Sequence, residues 1–198
     1  MKHSTIWILL VAAISLATPA LARADTWQID PAHTNVEFTV RHMMISNVKG
    51  SFEKVSGTVT VAGEGPATAT IDATIDASSI NTRVAKRDED LKGPNFLDVA
   101  KFPTITFKST KVEQAGTAKW KVTGNLTLHG VTKEVVLDVD GPTAPIKDPF
   151  GNTRAGASAT TRIDRRDFGL TFNKALETGG VLVGNDVDIA IDVEAIKK

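Results

Sequence analysis

The feature that most constrains the fold is a period-two alternation of apolar and polar residues, which recurs in short runs along the chain. In the run over residues 68–77, for example, Ala69, Ile71 and Ala73 alternate with Thr70 and Asp72. Such alternation is typical of a strand with one buried face. It predicts eight strands, over residues 34–42, 55–61, 68–77, 103–112, 119–129, 135–139, 155–165 and 187–193, with a short ninth strand at 26–30.

The connections between these strands predict a meander. Short turn sequences such as EQAG and HGVT lie between runs of matching alternation, as in hairpins. An antiparallel meander must close or stack to cover its apolar faces, and closure also removes the sheet edges. The predicted fold is therefore all-β, a closed antiparallel eight-stranded lipocalin-like barrel with one short helical crossover. A β-sandwich is the structural alternative.

Several positions predicted to face inward carry small residues. They are Gly57, Ala69, Ala73, Ala77, Gly124, Ala157 and Ala159. The lumen of a packed eight-stranded barrel is just wide enough for side chains to fill, so small residues leave volume in it. That volume predicts either an apolar ligand cavity or space taken by Phe and Trp from neighbouring strands, and a helix or loop that plugs the barrel is a further alternative.

The N-terminal segment has the three parts of a secretory signal peptide. Lys2 precedes an apolar run over residues 6–17, and small residues then offer cleavage after Ala22 or Ala24. The apolar run is shorter than the roughly 20 residues that span a membrane. We therefore expect a signal peptide at residues 1–24, a single domain at 25–198 and a location in the periplasm. An uncleaved membrane anchor is the alternative.

Composition argues against several function classes. The chain of 198 residues has 23 Lys and Arg, 23 Asp and Glu, and no Cys. Without a basic surplus, nucleic acid is not an expected partner. His33, His42 and His129 lack the spacing of a zinc motif, and we find no recognisable nucleophile motif. The sequence therefore predicts no metal site, no cofactor and no catalytic residue.

Residues 81–103 interrupt the strand pattern with a dense group of charges, followed by Phe96 and Phe102. The part over residues 84–92 predicts about two turns of helix, stopped by the Gly-Pro pair at 93–94. One interpretation is a solvated surface helix. The other is a lid over the barrel mouth, in which both phenylalanines enter the lumen and Arg83 or Arg87 meets an anionic head group.

Two further segments lie outside the strand pattern. Residues 162–173 are interpreted either as a strand end with solvated charges or as a second side of the barrel mouth. The Gly- and Pro-rich stretch over residues 141–152 predicts a long surface loop.

Several spaced motifs together resemble the YceI-like family of bacterial periplasmic proteins, also called polyisoprenoid-binding or lipocalin-like. They are WQIDPAHTNVEFTVRH with SNVKGSF, NTRVAKRDEDLKGPNFLDVAKFPTITFKST, GNLTLHGVTKEVVL and RAGASATTRIDRRDFGL. The resemblance covers nearly the whole chain after the predicted signal peptide, in the right order. It implies an extended lipocalin-type barrel whose apolar tunnel binds a polyprenyl phosphate or a ubiquinone, without catalytic residues or a metal.

The middle motif departs from the family pattern at two places. Asp90 stands where the family usually has His, and the triplet Pro94-Asn95-Phe96 stands where Ala-Asp-Phe is typical. The first change exchanges a possible cation for an anion beside Arg87. A neutral quinone or a fatty amide therefore fits this position no worse than a highly charged head group.

We therefore expect a periplasmic carrier or store of a long-chain isoprenoid lipid, with transient contact with the inner membrane. The expected lumen contacts are Phe38, Val40, Phe52, Ile71, Ile75, Phe96, Phe102, Phe107, Trp120, Leu126, Leu128, Phe168 and Phe172. The expected head-group or mouth contacts are His42, Arg83, Arg87, Asp88 and Arg166.

Two other function classes stay open. The first is an enzyme that acts on a lipid or small molecule at the barrel mouth, using His42, Asp88 or Asp167. The second is a stress-response module that binds another protein through an exposed apolar patch.

Overall fold

The computed structural model describes residues 24–63, 65–177 and 179–198, so almost all of the predicted signal peptide lies outside the described residues. The strands are β1 (Asp25–Ile29), β2 (Asn35–His42), β3 (Ser46–Phe52), β4 (Val55–Val61), β5 (Ala69–Asp76), β6 (Ile80–Asn81), β7 (Thr104–Gly116), β8 (Lys119–Leu128), β9 (Val131–Asp140), β10 (Ile146–Lys147), β11 (Thr153–Asp164) and β12 (Val183–Lys197). One α-helix, α1 (Ala85–Lys92), lies between β6 and β7.

These strands form a closed antiparallel barrel of eight strands, as predicted. Three of the eight strands consist of two pieces each: β1 with β2, β3 with β4, and β5 with β6. The pairings show this, since β1 pairs with β4 where β2 pairs with β3, and β4 pairs with β5 where β3 pairs with β6. The pairings then run through β5–β7, β7–β8, β8–β9, β9–β11 and β11–β12. The barrel closes where the long strand β12 also pairs with β1 and β2.

Strand β3 is the main element that alternation did not predict, together with the two-residue strands β6 and β10. The predicted short ninth strand is β1, the first half of a broken barrel strand. Alternation is weak in β3 because Gly50 occupies an inward position. A Cβ atom at Gly50 would lie 2.5 Å from Cζ of Phe38, so this glycine makes room for a ring of the paired strand.

The two ends of the barrel are built differently. At one end lie the β2–β3 turn, α1, the β8–β9 turn and the 3₁₀ turn Arg165–Phe168; we call this the closed end. The main cluster of buried hydrophobic residues lies here: Ala77, Ile80, Leu97, Ile105, Leu128, Ile163, Phe168 and Leu170. At the other end, the open end, lie the β4–β5 and β7–β8 turns, the loop over residues 141–152 and both ends of the barrel chain.

The helix agrees closely with the sequence prediction. It was expected over residues 84–92, and it begins at Ala85 and ends at Lys92, with Gly93 as its C-cap. Its residues are partly or fully exposed, as expected for a short polar helix on the surface of the closed end. No helix among the residues that the structure describes is long and apolar enough to cross a membrane.

Candidate functional site

A cavity of about 690 Å³ runs along the inside of the barrel. Its walls are inward side chains of the barrel strands, almost all of them apolar. Of the residues predicted to face the lumen, the lining includes Phe38, Val40, Phe52, Ile71, Ile75, Phe96, Phe107, Trp120, Leu126 and Leu128. A volume of this size lies within the range of sites for small-molecule ligands, roughly 300–1,000 Å³.

The wall of the cavity is unusual because many of its apolar residues keep some accessible surface. Val59, Ile71, Leu137, Ile191 and Val193 point into the barrel, yet each is only partly buried. Val, Ile and Leu in a filled core are among the residues most often fully buried. These side chains therefore face an interior space that other parts of the protein leave open.

The small inward residues explain where this space comes from. Ala69, Ala73, Ala157 and Ala159 line the cavity and leave volume in it. Gly124 does the opposite, because a Cβ atom there would lie 2.4 Å from Cζ of Phe107, whose ring already covers the glycine. Both sequence interpretations are thus realised, a cavity at the alanines and an aromatic ring over the glycine.

The remaining small positions do not add to the cavity. Gly57 is held against the neighbouring strand, since a Cβ atom there would lie 2.4 Å from the carbonyl oxygen of Asp72. Ala77 is part of the buried cluster at the closed end.

Three predicted lumen residues lie outside the lining. The ring of Phe102 packs edge-on against His129, with ring centroids 4.6 Å apart. Phe168 is 1% exposed and belongs to the buried cluster of the closed end. Phe172 contacts Phe96, which does line the cavity, with ring centroids 5.1 Å apart. All three were predicted to contact the lumen, but they pack around the closed end instead, where Phe168 is buried and Phe102 and Phe172 are partly buried.

The cavity reaches solvent at the open end. Its lining there includes the exposed turn residues Gly63, Gly65, Pro142, Thr143 and Pro145. The predicted lid lies at the closed end, where Leu91, Phe96 and Leu97 line the end of the cavity. The segment over residues 81–103 is therefore a plug of the closed end, a correction to its predicted position over the mouth.

The predicted head-group residues form local contacts at the closed end instead of facing the cavity. Arg87 donates to the hydroxyl and the carbonyl oxygen of Thr82, at 2.8 and 2.9 Å. Asp88 accepts from the backbone N–H and the hydroxyl of Thr82, at 2.8 and 2.5 Å. Together they fix the strand-to-helix connection, and the exposed Arg83 in that connection has a φ of 64°.

The other two residues of that set have equally local surroundings. Arg166 forms a forked ion pair with Asp164, and this pair lowers the pKa of Asp164 to about 2. His42 lies at the last position of β2, opposite Ser46 and Val183, and is partly buried. Neither residue belongs to the cavity lining.

A cationic residue that the sequence interpretation missed does line the cavity. Arg165 is 5% exposed and lies at the closed end of the lining. Its guanidinium donates to the carbonyl oxygens of Leu170, Val183 and Gly184, the last at 2.8 Å. Burial lowers the pKa of Arg165 below its usual value. The strand parity would have revealed it, since Arg165 follows Ile163 on the inward face.

A second charged cluster lies outside the cavity, where β1 gives way to β2. Arg154 forms ion pairs with Asp30, Asp148 and Glu194, at N–O distances of 2.6, 2.6 and 2.5 Å. The Arg154 guanidinium, and next His33, lower the pKa of Asp30 to about 2. Asp30, His33 and Glu194 are close enough to share a metal ion, but Arg154 already supplies the positive charge between the two carboxylates. The cluster therefore fastens the broken strand and the loop over residues 141–152 to the barrel.

Comparison with known proteins identifies the family. The profile of the YceI-like domain matches residues 27–195. A UPF0312 protein of Vibrio cholerae is 34% identical over 200 residues, which cover 100% of both chains. A UPF0312 protein of Staphylococcus aureus is 38% identical over 169 residues, which cover 83% of this chain and 94% of the relative.

Solved structures agree with this. A Campylobacter jejuni YceI protein superposes with a TM-score of 0.67 at 34% identity, over 79% of this chain and 89% of that one. A polyisoprenoid binding domain from Saccharophagus degradans shares the fold, with a TM-score of 0.62 at 16% identity, over 90% of this chain and 100% of that one. By sequence along nearly its whole length, with a fold to match, the chain belongs to the YceI-like family.

Proposed function

We propose that this protein is a non-enzymatic binding protein that holds the hydrocarbon chain of a lipid inside its barrel. The observation that carries the proposal is the cavity of about 690 Å³, whose walls are apolar and partly accessible along its length. Apolar surface without a partner inside a protein is the surface that an apolar ligand covers most favourably.

The energetics favour a long chain. Each CH₂ group removed from water contributes about 0.8 kcal/mol. A tail of dozens of carbons therefore offers more gross driving force than a complex can display, because affinities saturate at roughly −20 kcal/mol. Affinity would come from the tail, and it would depend on the volume of the lumen more than on any single polar residue.

An isoprenoid lipid such as a polyprenyl phosphate or a ubiquinone-like quinone is the ligand that we propose. The description of the Saccharophagus degradans domain as polyisoprenoid binding supports this class. Together with the signal-peptide pattern of residues 1–24, it supports a carrier or store in the periplasm.

The alternative of catalysis at the mouth finds little support in the geometry. Asp88 is bonded to Thr82 at the closed end, and Asp167 is exposed in the 3₁₀ turn that follows β11. Among the described residues, the side chain of His42 forms no hydrogen bond with Asp88 or Asp167. A general acid–base pair needs groups within hydrogen-bond reach of the same substrate.

The direct experiment is native mass spectrometry of the protein purified from the periplasm of a bacterial host, followed by solvent extraction and identification of the released lipid. We expect a mass adduct that disappears on extraction and yields a long-chain isoprenoid. A protein that is consistently free of lipid, including after incubation with ubiquinone or polyprenyl phosphate, would contradict the proposal.

A further inference from the structure

The open end carries an exposed apolar feature that the cavity does not explain. Phe150 is 88% exposed and Ile146 is 65% exposed, and both lie on the loop over residues 141–152. The same loop contributes Pro142, Thr143 and Pro145 to the cavity lining. The exposed side chains and the entrance of the cavity are therefore parts of one structural unit.

The loop is built to hold Phe150 in this position. The side chain of Asp148 accepts hydrogen bonds from the backbone N–H groups of Phe150 and Asn152, at 2.9 and 2.8 Å. It also accepts from Nδ2 of Asn152 at 2.9 Å and from Nε of Arg154 at 2.6 Å. Because Arg154 is anchored to Asp30 and Glu194, these bonds tie the tip of the loop to the barrel wall.

Further contacts fix the base of the loop. Ile146 pairs with Arg154 in the short β10–β11 ladder. The indole N–H of Trp120, a cavity-lining residue, donates to the carbonyl oxygen of Gly141 at 2.8 Å. The fold therefore holds Phe150 in its exposed position, since these hydrogen bonds leave its backbone little freedom to turn the ring inward.

From this arrangement we propose that the loop over residues 141–152 is a docking site for a lipid surface, with Phe150 and Ile146 inserting among the lipids at the cavity entrance. The inference rests on the proposed function, because a lipid that enters the barrel must come from a membrane. Lys147 lies between the two apolar residues, is exposed, and forms no ion pair with the described parts of the chain. Its charge would attract an anionic lipid head group.

A lipid surface suits the loop better than a protein partner. Two exposed side chains present too little area for a stable protein interface, which buries about 1,200–2,000 Å² in total. They are enough for shallow insertion at a membrane interface, where apolar side chains enter the boundary of the acyl chains and basic residues stay with the head groups. Docking here would also place the entrance of the cavity on the membrane.

The test is flotation of the purified, full-length protein with vesicles of phosphatidylethanolamine and phosphatidylglycerol. The variant Phe150→Ser with Ile146→Ser should reduce binding about tenfold or more, since burial of one large apolar side chain is worth at least that factor. The matched control is Met44→Ser with Ile45→Ser, because Met44 is 50% and Ile45 74% exposed on the β2–β3 turn at the closed end. This control should bind like the parent protein.

Each outcome of the experiment decides the proposal. Absence of binding by the parent protein, or equal loss in the control variant, would overturn the docking site. Binding only to native membranes, lost after protease treatment of those membranes, would mean a protein partner and would also overturn it. The proposed function is judged separately by the lipid found in the cavity. If the protein carries a lipid but does not bind vesicles, the proposed function stands and the docking site is wrong. If it binds vesicles through Phe150 but carries no lipid, the proposed function is wrong.

Discussion

The two ends of the barrel cover their inward apolar residues in different ways. At the closed end, Leu97, Phe168 and Leu170 come from outside the barrel strands and pack against strand residues until almost no surface is left. At the open end, Trp120 and Val193 line a cavity and remain partly accessible. The same alternating strands thus support a filled core and an unfilled one. The barrel strands are continuous from one end to the other. The cavity therefore arises because the described residues outside the strands fill the closed end but leave the lining at the open end accessible.

The largest difference between the ends should appear in stability. Phe168→Ala removes the one large side chain that is less than 2% exposed among the described residues. We expect the free energy of unfolding to fall by about 3–5 kcal/mol, the usual cost of deleting a buried aromatic ring. Urea denaturation measures this, with Phe150→Ala at the open end as the control, which should change stability by less than about 0.5 kcal/mol. Similar losses in the two variants would remove the distinction between the ends.

A second substitution tests how the barrel wall divides filled from unfilled volume. In Gly124→Ala, the new Cβ would lie 2.4 Å from Cζ of Phe107 and 2.6 Å from the carbonyl oxygen of Lys108. We expect a loss of about 1–3 kcal/mol from this overpacking. The control is Gly63→Ala at the open end, where the nearest atom would be 3.4 Å away and stability should hardly change. A neutral Gly124→Ala would mean that Phe107 moves freely into the cavity.

These elements show how far sequence reasoning reaches. Period-two alternation predicted most of the barrel strands because each strand repeats its own pattern locally, but the pattern alone left a β-sandwich open as the alternative to a closed barrel. It missed β3, because Gly50 replaces an apolar residue with space for the ring of Phe38, and that relation depends on strand pairing. The broken strands were also hidden, since the sequence cannot show that two short runs continue one another.

The sequence predicted the residues along the walls of the cavity better than the residues at its ends. Residues within strands, such as Ile71 and Leu126, follow from parity and do line the cavity. Phe102 and Phe168 lie outside the strands, where parity gives no direction, and their chemical type alone suggested the lumen. Arg165 was missed because a charged strand end is usually solvated, whereas here three carbonyl oxygens receive its guanidinium.

Ligand retention should separate the inner and outer faces of the closed-end segment. Phe96 lines the cavity and Asp90 is exposed on α1. Replacing Phe96 with Ala should weaken lipid retention about tenfold, as expected for the loss of one large apolar contact. Asp90→Ala should leave retention nearly unchanged. Dissociation rates of a bound fluorescent isoprenoid give the comparison, and a larger effect at Asp90 would show that the two faces are assigned wrongly.

The smallest expected effect concerns pH and the charged cluster outside the cavity. The pKa of Asp30 is lowered from 3.8 to about 2, chiefly by Arg154. A lowered pKa in the folded state stabilises the protein above the unfolded pKa, and this contribution is lost as the pH falls from about 3.8 towards 2. Urea midpoints measured across that interval should fall less steeply for Asp30→Asn than for the parent protein. Identical slopes would show that the ion pair does not contribute to folding.

The central claim is that the cavity of the barrel holds a lipid chain, and filling the cavity tests that claim most directly. Ala73→Leu with Ala157→Leu adds side-chain volume to the cavity wall without touching the closed-end cluster. Native mass spectrometry of the parent and this variant, purified in the same way from the same bacterial host, is the measurement. We predict a lipid adduct on the parent protein and its loss from the filled variant, which should unfold no more easily. A lipid-free parent, or an adduct that survives in the filled variant, would contradict the account.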